Sequence, residues 1–297
     1  MAYVRAYADS CSVTNEAMNP AKYYDINGIK MHYIDRGDGD AIVMLHGNPT
    51  WSYFYRELAM RLSRNYRVIV PDHIGMGFSE KPQNVDYNLA FHIQNLEKLI
   101  EHLNLRNIIL IVHDWGGAIG FGYAVNHIAN VEKIVVLNSA AFFDEKIPRR
   151  INICRGIFGK FLVRRLNLFS RFATFMATTK KLPKETREEY LRPYNSYKNR
   201  IGIHSFVRDI PMEEDHRTRY LLDSIESKLK DITSDILILW GEKDFCFSKH
   251  FYYRWIEFFP QAKTRLFENA GHYILEDAPD EVLREIEEFI LTPMPKP

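Results

Sequence analysis

The 297 residues, 46% hydrophobic and 26% charged, suffice for one large core or for one core with an inserted lobe, and they exclude a disordered or fibrous protein. Basic and acidic side chains, 39 against 38, nearly cancel, so no global field favours nucleic acid, and none is expected as a partner. The 3 cysteines, Cys11, Cys154 and Cys246, are scattered and odd in number, which argues against a disulfide framework or a zinc site and for reduced thiols in a cytoplasmic protein without metal or cofactor.

Met1 to Asn19 alternate polar and apolar residues with no run of signal-peptide length, and no stretch is apolar for long enough to predict a transmembrane segment. From Tyr23 to Val135 short apolar runs alternate with amphipathic stretches, the pattern of strands joined by crossover helices in a mainly parallel sheet. The predicted strands are Met31-Tyr33, Ala41-Leu45, Arg67-Val70, Ile108-Val112 and Lys133-Leu137. Leu89, Ile93, Leu96, Ile100 and Leu103 recur at the helical period, which predicts a helix over 89–103 with one face on the sheet. Between Ala141 and about Asp215 the alternation gives way to basic, aromatic, helix-like sequence, read as a helical cap inserted into the sheet domain. The strand and helix grammar then returns with Ile236-Trp240, a helix Phe251-Phe258, Thr264-Phe267, and a last helix marked by Val282, Ile286, Phe289 and Ile290 after Pro279. The expected organisation is an α/β core in two parts, 23–140 and 216–292, around a cap at 141–215, with the proline-rich tail Thr292-Pro297 frayed.

The chemistry begins where Ile108-Ile109-Leu110-Ile111 runs into Val112-His113-Asp114-Trp115-Gly116-Gly117. A strand that ends in a tight turn and restarts as a glycine-rich helix lifts its turn residue to the sheet's edge, the place of a nucleophile. That residue is Asp114. A carboxylate attacking a carbonyl yields only a high-energy anhydride, whereas on a saturated carbon with a leaving group it yields a stable ester, so the expected substrate offers an electrophilic alkyl carbon. Downstream, Asp244 follows one predicted strand and His272 follows the next. Taken singly each is an ordinary turn or loop residue; in the order nucleophile, acid, histidine they predict a triad. Asp114 needs no base to be ionised at neutral pH. His272 is therefore expected to activate water against the alkyl ester of Asp114, and Asp244 to hold the ring tautomer and stabilise the imidazolium.

A second constellation, Leu45-His46-Gly47-Asn48-Pro49, ends an early strand. Backbone N–H groups of Asn48 and Trp115 can form an oxyanion hole, while the Trp115 indole N–H and the two N–H groups of the Asn48 amide can cradle a departing anion. As purely structural residues they would instead pack the core and form a turn beside Pro49. His46 and His113 read as structural, and Gly117, Gly120 and Gly122 are predicted to let the helix after Asp114 approach the sheet closely.

These residues, with Asp72-His73-Ile74-Gly75-Met76-Gly77, resemble the haloalkane dehalogenase family of α/β-hydrolases over nearly the whole chain from about Tyr23. The resemblance implies an α/β-hydrolase fold, a mainly parallel eight-stranded sheet flanked by helices with an inserted helical cap. It matches Asp114 to the family's nucleophile, His272 to its base, and Asn48 with Trp115 to its halide-stabilising pair. One branch carries its acid soon after the strand that here ends at Leu137; this chain has Asn138 there, so the acid is expected at Asp244. Pro193-Tyr194-Asn195-Ser196-Tyr197-Lys198-Asn199-Arg200-Ile201, Asp209-Ile210-Pro211, Asp244-Phe245-Cys246-Phe247 and His272-Tyr273-Ile274-Leu275-Glu276-Asp277 are similar to the third dehalogenase subfamily and, within or beside it, to the β-lactone decarboxylases of bacterial olefin biosynthesis. That likeness implies opening of a long-chain cis-β-lactone by Asp114 and loss of carbon dioxide to a cis-alkene, with Asn48 and Trp115 on lactone oxygens. Epoxide hydrolases share the His-Asp-Trp-Gly-Gly turn and use cap tyrosines, for which Tyr190, Tyr194 and Tyr197 are candidates; Asn48, where they usually carry a bulky apolar residue, argues against them.

Within the cap, Arg149, Arg150, Arg155, Lys160, Arg164, Arg165 and Arg171 interleave with apolar residues up to Phe172. The expected arrangement is a helical lid whose apolar side covers an apolar pocket for a small apolar substrate and whose charges are solvated. The alternative is a basic amphipathic surface that meets a membrane or partner enzymes of hydrocarbon biosynthesis. A non-catalytic ligand receptor is also compatible with the fold, but such decay commonly removes a triad member, and none is missing.

Overall fold

The computed structural model describes residues 21–146, 151–156 and 158–291. The leader reading of Met1–Asn19, Cys11, the cap residues Arg149 and Arg150, and the tail Thr292–Pro297 lie outside the described residues.

Eight strands form one sheet: β1 (Ala21–Ile26), β2 (Ile29–Arg36), β3 (Ala41–Leu45), β4 (Arg67–Pro71), β5 (Ile108–Asp114), β6 (Val131–Ser139), β7 (Asp235–Gly241) and β8 (Lys263–Phe267). Their spatial order is β1-β2-β4-β3-β5-β6-β7-β8, with β2 antiparallel to both β1 and β4 and every other pair parallel. Each residue of β3 and β5 is buried, as helices covering both faces of a parallel sheet require. All seven strands expected from apolar runs are present. The eighth, β1, has no such run because it is an exposed edge strand; its signal is the Asn27-Gly28 pair, at φ 56° and 84°, a two-residue hairpin turn.

The helices are α1 (Arg56–Leu62), α2 (Leu89–His102), α3 (Trp115–Ala124), α4 (Ile151–Arg155), α5 (Leu168–Met176), α6 (Lys184–Leu191), α7 (Ile201–Arg208), α8 (Arg217–Lys228), α9 (Lys249–Phe258), α10 (Ile274–Asp277) and α11 (Pro279–Leu291). The Asn88 side chain accepts from the Phe91 N–H at 2.9 Å and caps α2, which ends one residue short of the predicted Leu103. Gly120 of α3 does sit against the sheet: a Cβ there would lie 2.7 Å from Val112 of β5. Gly122 corrects the expectation, since its missing Cβ would meet Ile93 of α2 at 2.2 Å and Ile225 of α8 at 3.3 Å; it admits neighbouring helices, because it lies on a different side of α3 from Gly120.

Between β6 and β7 the described chain holds α4 to α8, a π-helical turn at Phe161–Arg165 and no strand. Helices α6 and α7 reach over the C-terminal ends of the strands: Tyr190 bonds to Glu276, and the carbonyl of Ile203 accepts from Asn48. Helix α8 packs back on α2 and α3. Among the described residues, no helix is long and apolar enough to cross a membrane, and no cluster of histidine, cysteine and carboxylate side chains could hold a metal ion.

Candidate active site

Strand β5 passes into α3 without an intervening residue, and the junction is Asp114, at φ 52° and ψ −125°. Holding a non-glycine residue there costs on the order of 1–3 kcal/mol, sustained by the packing on either side. That packing dictates the neighbours. A Cβ on Gly116 would lie 2.0 Å from the Leu45 carbonyl oxygen and one on Gly117 1.9 Å from the Ser139 hydroxyl, so the Gly-Gly pair lets α3 start against β3 and β6. Ser139 also donates to the Asp114 carbonyl. On the facing loop a Cβ at Gly47 would lie 2.0 Å from the Asp114 carboxylate, so glycine is what brings the Asn48 N–H to 2.6 Å from Asp114 Oδ1.

The three residues expected to form a triad come together. His272 Nε2 lies 3.7 Å from Asp114 Oδ2, and His272 Nδ1 lies 2.7 Å from Asp244 Oδ2. All three are buried. Burial pushes the Asp114 carboxyl above its usual range, against the opposing pull of His272 and of the Asn48 and Trp115 backbone N–H groups. For His272 burial acts downward, but Asp244 and Asp114 outweigh it and hold the imidazole above its ordinary 6.5. The charges of Asp244 and Asp114 thus favour the protonated form of the imidazole in the free site. Once Asp114 is esterified, one of those charges is gone and the imidazole becomes easier to deprotonate, the state a base needs.

Asn138 is the residue whose role the sequence did not disclose. At the end of β6 the register against β5 skips it, pairing His113 with Leu137 and Asp114 with Ser139, and Asn138 adopts φ 34°. The bulge turns its side chain toward β7. Its amide donates to Asp244 Oδ2 at 2.9 Å and to the Gly241 carbonyl at 3.1 Å, and accepts from the Gly241 N–H at 2.8 Å. The Cys246 and Phe247 N–H groups occupy Asp244 Oδ1 at 2.6 and 2.9 Å. Asn138 thus sets the acid in place instead of replacing it. Asn138→Ala is expected to cost about 2–3 kcal/mol in urea unfolding, because it strands several buried polar groups at once.

His113 and His46 hold loops, as expected. His113 Nε2 lies 2.9 Å from the His272 carbonyl, and His46 bonds the Gly47 carbonyl at 2.8 Å while accepting from the His73 N–H at 3.1 Å. The histidine loop is also tied to the helical insertion through a carboxylate that sequence reasoning passed over. Asp277, buried, accepts from the Gly271 N–H at 2.7 Å and from the Thr179 N–H at 2.9 Å. Beside it, Glu276 takes both arms of Arg56 at 2.5 and 2.9 Å and the Tyr190 hydroxyl at 2.5 Å.

One expectation changes. The Asn48 amide offers one free N–H rather than two, since Nδ2 already donates to the Ile203 carbonyl at 3.2 Å. Asp114 is 6% exposed, and the cavities of about 10, 340 and 920 Å³ are lined by other residues. Aromatic side chains close in on the site, with Trp115 against Phe206 at 5.3 Å between centroids and His272 stacked on Phe247 at 5.8 Å. Cys246 lies near both carboxylates, and burial followed by their charge holds its thiol well above the ordinary range, so it is no competing nucleophile. Both cysteines within the described residues, Cys154 and Cys246, are free thiols.

Two of the three cap tyrosines spend their hydroxyls elsewhere. Tyr190 donates to Glu276, Tyr194 donates to the Thr50 carbonyl at 3.1 Å and accepts from Gly77, and Tyr197 lies under the Arg164 guanidinium at 4.1 Å. The Tyr190 and Tyr194 hydroxyls are thus engaged away from Asp114.

Comparison with known proteins agrees with this geometry. The family model for the alpha/beta hydrolase fold matches residues 40–279. A cis-3-alkyl-4-alkyloxetan-2-one decarboxylase of Shewanella oneidensis is 44% identical over 273 residues, covering 89% of this chain and 86% of the relative. A decarboxylase of the same name from Xanthomonas campestris pv. campestris is 39% identical over 278 residues, covering 89% and 93%. Among solved structures, the haloalkane dehalogenase DatA of Agrobacterium tumefaciens C58 aligns at a TM-score of 0.83 and 24% identity over 93% of this chain and 98% of the other, a likeness in fold.

Proposed function

We propose, from the premise that this chain belongs to the α/β-hydrolase fold family and within it to the group of the cis-3-alkyl-4-alkyloxetan-2-one decarboxylases, that it converts a cis-β-lactone to a cis-alkene and carbon dioxide with Asp114 as nucleophile. The observation that carries this reading is the buried Asp114 carboxylate on a strained turn, 2.6 Å from one backbone donor and 3.7 Å from an imidazole, in a chain this similar to those decarboxylases.

The chemistry balances as follows. Asp114 attacks the saturated ring carbon from the side opposite its C–O bond; that bond breaks, and its electron pair becomes part of a substrate carboxylate. Asn48 and Trp115 donate to the oxygens on which this charge collects. The bond from the carboxylate carbon to the adjacent ring carbon then breaks, its electrons form the C=C bond, and the Asp114 carboxylate departs with its own pair as carbon dioxide leaves. Inversion followed by anti elimination keeps the two alkyl groups on the same side, so a cis-lactone gives a cis-alkene. No water is consumed.

A haloalkane would use the same first step, with halide expelled toward Asn48 and Trp115, but its ester has no carboxylate to lose. It can be discharged only by water, activated by His272 with Asp244 behind it. The neutral donors of Asn48 and Trp115 favour this second reading as a side activity of the same site.

Solvent labelled with oxygen-18 separates the two routes. Offered a long-chain cis-β-lactone, the enzyme should release alkene with no label in Asp114; offered a bromoalkane, it should release bromide and label Asp114 at its carboxyl. Alkene absent and bromide present would leave dehalogenation alone; neither product would remove the proposal altogether.

The pH dependence should divide in the same way. Hydrolysis needs neutral imidazole, so bromide release is lost as pH falls through the His272 pKa, which the remaining carboxylate, Asp244, still supports. Alkene formation, which needs no base, should lack that acid limb. Steady-state profiles for both substrates check this, and parallel limbs would contradict it.

A further inference from the structure

The charge balance of the chain conceals a sharp segregation. From Lys146 to Lys184 there is no acidic residue and there are 11 basic ones, which leaves 28 basic against 38 acidic side chains in the rest. The same stretch contributes seven of the 13 large hydrophobic side chains exposed among the described residues.

Helix α5 shows the inversion most plainly. Its small polar residues Ser170 and Thr174 are turned inward at 2% and 3% exposure, while Phe172 and Phe175, each 56% exposed, face out. A helix on the surface of a globular protein ordinarily does the reverse. Arg171 stands exposed on the same outer side, and the Arg165 and Phe158 side chains are exposed earlier in the stretch. The cations crowd one another: the guanidinium of Arg200 is lowered by burial and by its neighbours Arg171 and Arg165.

We propose that this face docks on an anionic lipid surface, with Phe158, Phe172 and Phe175 entering the acyl boundary and Lys160, Arg165 and Arg171 pairing with headgroup phosphates. Apolar rings interleaved with basic side chains, with no acid in the sequence between Lys146 and Lys184, are the composition an interfacial helix segment needs, and both halves of it are present. A second copy of the chain fits poorly, because it would bring the same positive field against itself. An acidic protein would satisfy the cations but leaves the outward phenylalanines unexplained. The inference uses no step of the proposed reaction, although an apolar lactone and alkene would both partition into such a surface.

Vesicle flotation with the full chain and no substrate tests it, comparing phosphatidylglycerol-containing with pure phosphatidylcholine vesicles at about 0.1 M salt. The protein should float with the anionic vesicles only and be released by high salt. The pair Phe172→Ser/Phe175→Ser and, separately, Arg165→Glu/Arg171→Glu should each weaken binding at least about tenfold, with thermal midpoints unchanged. Absence of binding, equal binding to neutral vesicles, or binding that survives both double variants would overturn the proposal. So would a dimer in sedimentation that the phenylalanine pair dissolves while no vesicle binds, which would assign the face to a second copy. Because no turnover is measured, any of these outcomes leaves the decarboxylation reading to stand or fall on its own assay.

Discussion

Asp114→Asn is expected to abolish alkene release from a cis-β-lactone, with a loss of about four to six orders of magnitude, the scale on which covalent enzymes respond to removal of their nucleophile. An amide has no carboxylate oxygen to present to the ring carbon, and the neighbouring groups offer no substitute: the Cys246 thiol is held protonated, and His272 is held by Asp244. The fold should survive. The side chain is nearly isosteric, and the buried carboxyl it replaces is one whose charged form the site disfavours, so removing that charge relieves desolvation. A thermal midpoint no lower than that of the wild type, together with lost turnover, is the expected pair of results. Retained alkene formation by a folded Asp114→Asn protein would move the nucleophile to another residue.

His272→Ala should separate the two electrophiles more sharply than any other change. With a bromoalkane the variant should release one equivalent of bromide per site and then stop, because alkylation of Asp114 needs no base while hydrolysis of the ester does; loss of a general base costs about two to four orders of magnitude. Intact-protein mass spectrometry should show the alkyl group retained, and peptide mapping should place it on Asp114. With the lactone the ester discharges itself through loss of carbon dioxide, so alkene formation should fall by no more than about tenfold, the worth of one lost polar interaction with Asp114. The structure supports the asymmetry: His272 is 3.7 Å from the nucleophile, too far for a strong hydrogen bond, but is held firmly at its other nitrogen. Equal losses on the two substrates would show that the imidazole takes part in decarboxylation itself.

Much of the site was legible because the residues that define it are forced by local sterics. Glycine at 47, 116 and 117 follows from atoms that a side chain would strike within about two ångströms, so the motifs around Asn48 and Asp114 cannot be written with other residues and keep this geometry. The strands were legible for a related reason. Both faces of β3 and β5 are covered, and a continuous apolar run is what survives there, whereas β1, solvated at the sheet's edge, left only its turn pair as a trace.

The sequence by itself determined the sheet, the nucleophile's place on it, and the order in which acid and base follow, since strand periodicity and turn chemistry act over a few residues and are written locally. Only the tertiary structure decided that Asn138 bulges out of β6 to grip Asp244, that Glu276 and Asp277 bind the histidine loop to the helical insertion, that Tyr190 and Tyr194 are spent on other partners, and that Phe172 and Phe175 look outward. Each of those depends on which distant segments share a hydrogen bond or a face. Separations such as the 106 residues between Asn138 and Asp244 leave no periodic imprint on the chain, because the partner is chosen by packing.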